Sequence, residues 1–140
     1  MTAELPLLLD TCAAVWIGED QPLSSEALTA IQGSHRRAEL IFVSPITAWE
    51  IGLLVSRGKL TSPMSPQRWF ARLLDAPGVR LAVMSPDVLI ASSFLPGAPP
   101  RDPADRILAA TARECGYRLL TRDAPLLTYA RQGHLQALAC

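Results

Sequence analysis

Four carboxylates, Asp10, Glu50, Asp105 and Asp123, are spaced so that they could act together on one reaction. Asp10 directly follows Leu7-Leu8-Leu9, and Asp123 directly follows Leu119-Leu120-Thr121-Arg122. In open α/β sheets ligands gather outside the carboxyl ends of the strands, where both acids would then stand. Each is also a natural helix N-cap, and singly that role accounts for it. Glu50 is more informative. On a helix beginning at Pro45 it shares a face with Ile46, Trp49, Leu53 and Leu54, so a lone carboxylate interrupts an apolar stripe. Burying it unpaired would be costly, so it needs a cation, a hydrogen-bonded partner or a pocket. Asp105 stands three residues after Asp102, the spacing of a capping box. Helical spacing places Ala109 and Ala112 on its side and turns Arg106 and Arg113 away.

At an effective dielectric near 20, two carboxylates about 4 Å apart repel by roughly 4 kcal/mol. A four-acid cluster therefore demands protons or a metal. Hard oxygen donors select Mg²⁺, with Mn²⁺ as a substitute, over zinc. The only histidines are His35 and His134, and the cysteines Cys12, Cys115 and Cys140 show no CxxC spacing, so zinc is poorly supported. An acidic Mg²⁺ site suits phosphodiester hydrolysis, because the ion activates water and stabilises the leaving oxygen.

The elements that must position these acids alternate between strand and helix. The runs 5–9, 40–43, 79–83, 118–121 and 135–139 read as strands, and the first four suit a sheet buried on both faces. Ser44-Pro45, Ser65-Pro66, Ser85-Pro86 and Asp102-Pro103 each place a capping side chain before a proline at the first helical position. Gly58 and Gly116 suit left-handed helix ends. The pattern implies an α/β fold with a largely parallel sheet. At 140 residues the chain fits one domain, 1–140, and the proline-dense stretch 96–103 reads as a loop within it.

Hydrophobic residues make up 49% and charged residues 19%, which supports a sizeable core. Lys+Arg and Asp+Glu both number 13, so bulk positive charge cannot bind nucleic acid and any such partner must use a site. Met1 to Glu4 lack the basic start of a signal peptide, and the apolar run ending at Asp10 is too short to cross a bilayer. A reduced, cytoplasmic protein is expected.

The stretches LLLDT around Asp10, SPITAWEIGLLVSRGKL around Glu50, DPADRILAATA around Asp105 and LLTRDAPLLTY around Asp123 together resemble the PIN-domain ribonucleases, specifically the VapC-type toxins of bacterial toxin–antitoxin pairs. The resemblance covers nearly the whole chain. It implies a three-layer fold with a central, mostly parallel sheet of four to five strands flanked by helices. It also implies a Mg²⁺-dependent endoribonuclease in which Asp10, Glu50, Asp105 and Asp123 are the metal-binding and catalytic residues. Thr11 and Thr121 match hydroxyl residues beside that site. The implied partners are an RNA substrate, a cognate antitoxin whose tail crosses the groove, and a second copy in a homodimer. Two positions depart from the family pattern: Pro100 replaces a common histidine and Ala104 a common phenylalanine. Both belong to the rim, so they bear on substrate choice and leave the metal site intact.

Arg101, Arg106 and Arg122 adjoin the acidic motifs and are candidates for an RNA-facing rim. Trp49 is expected in the core, Trp16 and Trp69 could be core, base-stacking or partner-surface residues, and Cys12 is expected to be buried. Two other functions share the opening strand-to-Asp pattern. A phosphatase of the haloacid-dehalogenase type wants a second Asp where Cys12 stands. A receiver-type binding module wants paired acids after the first strand and a late lysine, whereas the sole lysine is Lys59.

Overall fold

The computed structural model describes residues 5–140, so the expectation for Met1 to Glu4 lies outside the described residues. Five short strands, β1 (Leu7–Leu9), β2 (Ile41–Val43), β3 (Val79–Leu81), β4 (Arg118–Thr121) and β5 (Ala137–Ala139), form one sheet in the order β3-β2-β1-β4-β5. Every pairing is parallel, with Leu8 opposite Phe42 on one side and Leu119 on the other. Seven helices complete the described residues: α1 (Thr11–Gly18), α2 (Ser25–Arg36), α3 (Pro45–Ser56), α4 (Pro66–Leu74), α5 (Pro86–Ala91), α6 (Pro103–Cys115) and α7 (Ala124–Arg131).

The three layers follow from side-chain alternation. Leu7 and Leu9 point into a core built with Ala13, Ala27, Ile51, Trp69 and Leu73 from α1 to α4. Leu8 points the other way, into a core built with Leu108, Ala109, Ala112, Leu126 and Tyr129 from α6 and α7. All three β1 leucines are fully buried, and each such burial contributes about 1.5–3 kcal/mol. The central strand therefore sits between two cores, and its carboxyl end is the most firmly placed point in the sheet.

Four helix starts match the serine-proline and aspartate-proline pairs. Ser44, Ser65, Ser85 and Asp102 accept from the backbone N–H groups of Ile46, Arg68, Val88 and Ala104 respectively. Gly116 ends α6 in the left-handed region, with φ of 74°, as its type suggests.

Two expectations need correction. The strand β3 is not buried on both faces: Arg80 and Leu81 are exposed because it is the sheet's edge. The helix α3 is rotated from the expected stripe. Thr47 and Ile51 face the core, and Trp49 is 56% exposed. Apolar residues surround most of this helix, so periodicity could not fix its rotation. Trp69, for which core and partner surface are both open in the sequence, is in the core at 6% exposure, with its indole N–H donating to Glu19 Oε1 at 3.1 Å. The glycine at 18 permits this, since a Cβ there would lie 2.5 Å from the Trp69 ring.

Candidate active site

The carboxyl ends of β1 and β4 lie side by side, and the chain turns from each directly into a helix. Asp10 caps α1: its Oδ1 accepts from the Ala13 N–H at 2.7 Å. Its backbone N–H donates to the Leu120 carbonyl, which extends the β1–β4 ladder to the site. Asp123 caps α7, its Oδ2 accepting from the Leu126 N–H at 3.0 Å. Both acids thus play the capping role that their type and position allowed, and both also line the same end of the sheet.

Thr121 joins them. Its hydroxyl donates to Asp10 Oδ2, and its oxygen accepts from the Asp123 N–H at 2.9 Å. On the other side, the Thr11 hydroxyl donates to Glu50 Oε1. A hydroxyl has one proton, so the 3.1 Å contact between Thr11 and Thr47 has Thr47 as the donor. The relay from Thr47 through Thr11 to Glu50 fixes the carboxylate of α3 against α1. Sequence reasoning missed Thr47. Its position one turn before Glu50, on the side facing the sheet, is the signal that could have found it.

The acids sense one another. Burial pushes the Asp10 carboxyl up to about 6, while the Thr121 and Ala13 hydrogen bonds pull it down and the Asp123 charge adds to the rise. Asp105 is pushed up to about 7, first by burial and then by Asp123, Asp102, Glu50 and Asp10 in turn. Glu50 is raised by burial, lowered by the Thr11 hydrogen bond, and raised again by Asp102, Asp10 and Asp123. Among the described residues no basic side chain forms an ion pair with any of the four. An arginine partner for Glu50, the simplest structural explanation of a carboxylate there, is therefore absent among these residues.

Such a set suits a hard divalent cation, since its donors are all carboxylate oxygens that repel each other for want of positive charge. Among the described residues no three His, Cys, Asp or Glu side chains stand together in a way that could by themselves hold a metal ion. Mg²⁺ keeps several of its own waters, so it does not require all four acids in direct contact.

The remaining neighbours divide by what holds them. Arg101 is exposed beside the acids. Arg106 is committed elsewhere, its Nε donating to the Pro100 carbonyl at 2.7 Å. Arg122 stacks on Trp16, with its guanidinium carbon 3.5 Å from the ring centroid, and donates to the Cys140 carbonyl. Of the three rim candidates, only Arg101 is not occupied by such a contact. Cys12 is exposed, which corrects the expectation of burial. Its thiol is nonetheless pushed up to about 11, first by desolvation and then by Asp10, Glu50 and Asp123. It stays protonated at neutral pH and is no nucleophile. Among the described residues no helix is long and apolar enough to cross a membrane.

With the geometry in hand, the chain can be set beside known proteins. It is 34% identical over 124 residues to Ribonuclease VapC22 of Mycobacterium tuberculosis, a match covering 88% of this chain and 91% of that protein. Its fold is similar to VapBC2 from Rickettsia felis bound to a promoter DNA fragment, with TM-score 0.67, 14% identity, and coverage of 96% and 98% of the two chains. It is likewise similar to DNA-bound VapBC from Salmonella typhimurium, with TM-score 0.65, 17% identity, and the same 96% and 98% coverage. Residues 7–131 match the PIN domain family. The chain belongs to the PIN-domain family, among its VapC-like members.

Proposed function

We propose that residues 1–140 act as one PIN-type domain whose activity is hydrolysis of RNA phosphodiester bonds, with Asp10, Glu50, Asp105 and Asp123 as the working acids. The observation that carries this reading is a set of four mutually repelling carboxylates without a basic partner among the described residues, at the carboxyl end of a parallel sheet. When bound, Mg²⁺ (or Mn²⁺) would polarise the phosphate and lower the pKa of an attacking water. The four acids would hold it. The Thr121 hydrogen bond fixes the Asp10 carboxylate and opposes the rise in its pKa, and the Thr11 bond does the same for Glu50, so both carboxylates are held before any ion arrives. In the metal-free protein Asp105, raised to about 7 first by burial and then by the neighbouring acids, is partly protonated at neutral pH, and binding of the ion would release that proton.

The likeness to VapBC2 from Rickettsia felis and VapBC from Salmonella typhimurium, each bound to DNA, supports the proposal that this chain also works in a complex with an antitoxin. The partners are a cognate antitoxin, a second copy of the chain, and RNA as substrate, with the protein acting in the cytoplasm. The half-buried Trp16 of α1, stacked under Arg122, is offered as apolar contact area for the antitoxin tail. Purified protein incubated with single-stranded RNA should cleave it with Mg²⁺, and chelation should abolish cleavage. Asp105→Asn and Asp123→Asn should each remove activity while leaving the circular dichroism spectrum unchanged. Cleavage that persists in EDTA, or in either variant, would overturn the assignment.

A further inference from the structure

A cleft of about 620 Å³ is lined in part by Asp105 and by none of the other three acids. Its walls are Pro99, Pro100 and Pro125, its polar lining includes Asp102, Thr128 and Gln132, and Arg101 also borders it. We infer that this cleft is a nucleobase pocket: it takes one unpaired base of a single-stranded RNA and prefers a base carrying an exocyclic amine. The inference rests on the ribonuclease reading, because Asp105 belongs both to this cleft and to the four acids.

The size falls within the ordinary range for small-ligand sites, and such sites combine apolar walls with a few polar groups. Rigid proline faces offer a ring somewhere flat to pack. Thr128 and Gln132 lie one helical turn apart on α7 and its cap, so their hydroxyl and amide address the same side of the cleft. Charge decides the orientation. Asp102 and Asp105 line the interior and would repel a phosphate, so the neutral base enters and the backbone stays outside, near exposed Arg101. Sequence-specific recognition of RNA generally uses splayed, unstacked bases in this way.

The cleft is also built to hold its shape. The buried Tyr129 hydroxyl donates to the Pro96 carbonyl. Gly97 sits so close to His134 that a Cβ would lie 2.4 Å from its Nε2, and its φ of 69° is a glycine conformation. His134 in turn stacks on Tyr129 at 4.8 Å between ring centroids. The Pro100 carbonyl is held by Arg106. The segment 96–100 is thus fastened at both ends, and a preformed wall spares the ordering cost of binding.

Asp102 sets the preference. Its capping bonds to Ala104 and Asp105 both fall on Oδ1, so Oδ2 remains an acceptor. A carboxylate accepts from an exocyclic amine, as on adenine, cytosine or guanine. Uracil has no exocyclic amine and offers only its N3–H, flanked by two carbonyl oxygens that the carboxylate disfavours, so it binds more weakly.

The test is a titration of guanosine, adenosine, cytidine and uridine into isotope-labelled protein, followed by amide NMR shifts. Amine-bearing nucleosides should shift Ala98, Arg101, Thr128 and the Gln132 side-chain amide, and bind several-fold tighter than uridine. Gln132→Ala should weaken them about fivefold, the worth of one hydrogen bond. Asp102→Asn keeps a capping oxygen and replaces the acceptor with a donor, so it should reverse the preference toward uridine. Absence of shifts in the cleft at the solubility limit, or an order that ignores Asp102→Asn, overturns the inference. If the nucleosides bind as expected and the protein cuts no RNA with Mg²⁺, the pocket stands and the ribonuclease reading falls. RNA cleavage whose base preference is the same in wild type, Gln132→Ala and Asp102→Asn overturns the pocket and leaves the ribonuclease reading standing.

Discussion

Replacing Asp10 with Asn should make the metal-free protein more stable at neutral pH. Asp10 is 3% exposed, and its carboxyl rises from 3.8 to about 6 on folding. Between those values the native state holds a proton that the unfolded chain has released, so stability falls as pH rises. Its contribution is fully present below pH 3.8 and gone above about pH 6. Roughly two pH units at about 1.4 kcal/mol each come to about 3 kcal/mol. The asparagine keeps the capping bond from Ala13 and carries no charge. Against that gain, its amide faces the Thr121 hydroxyl, which must turn to accept it while still accepting from Asp123. The hydroxyl proton then loses its partner, at about 1–2 kcal/mol. The net expectation for Asp10→Asn in EDTA is a gain of about 1–2 kcal/mol at pH 7.5 and a loss of about 1 kcal/mol at pH 4. Urea unfolding followed by tryptophan fluorescence across that range measures both. Two curves that run parallel, with no crossing, would refute the idea that ionised Asp10 is strained by its surroundings.

Added Mg²⁺ should raise the melting temperature of the wild type at neutral pH, by the equivalent of about 2.7 kcal/mol when the free ion is 100 times its dissociation constant. The rise should be much smaller in Asp10→Asn, and an equal rise would place the ion elsewhere. Thr121→Val removes the hydrogen bond that holds Asp10 down, so the acid limb of the cleavage pH profile should move up by about one pH unit. An unmoved limb would mean that Asp10 ionisation does not govern the rate. Gly97→Ala combines a left-handed backbone with a clash on His134 and should cost about 2–4 kcal/mol in a chemical unfolding experiment.

How much of this could be read from the residues depends on how local each feature is. The four proline-marked helix starts are legible because a cap needs only its neighbours along the chain. The strand polarity places Asp10 and Asp123 at one end of the sheet for the same reason. The two tryptophans go the other way. Trp49 lies on a helix with apolar residues on most sides, and Trp69 depends on a gap at Gly18, far away in sequence; neither rotation nor gap is visible locally. Thr47 is legible only as a position one turn before Glu50, because its role comes from a hydroxyl on another helix. The exposure of β3 follows from sheet order, which a run of apolar residues does not encode.

The bridge between Thr121 and Asp10 joins residues 111 positions apart. Its consequence concerns synthesis. As the chain leaves the ribosome, β1 is made early, yet its neighbour β4 arrives after most of the sequence has been translated. Until then Asp10 lacks Thr121, Asp123 does not exist, and the acids cannot assemble. An enzyme that cuts RNA while still attached to the machinery reading its own message would be hazardous to that message. The strand order β3-β2-β1-β4-β5, which pairs β1 with a strand made more than a hundred residues later, means that the acids come together only once β4 is available.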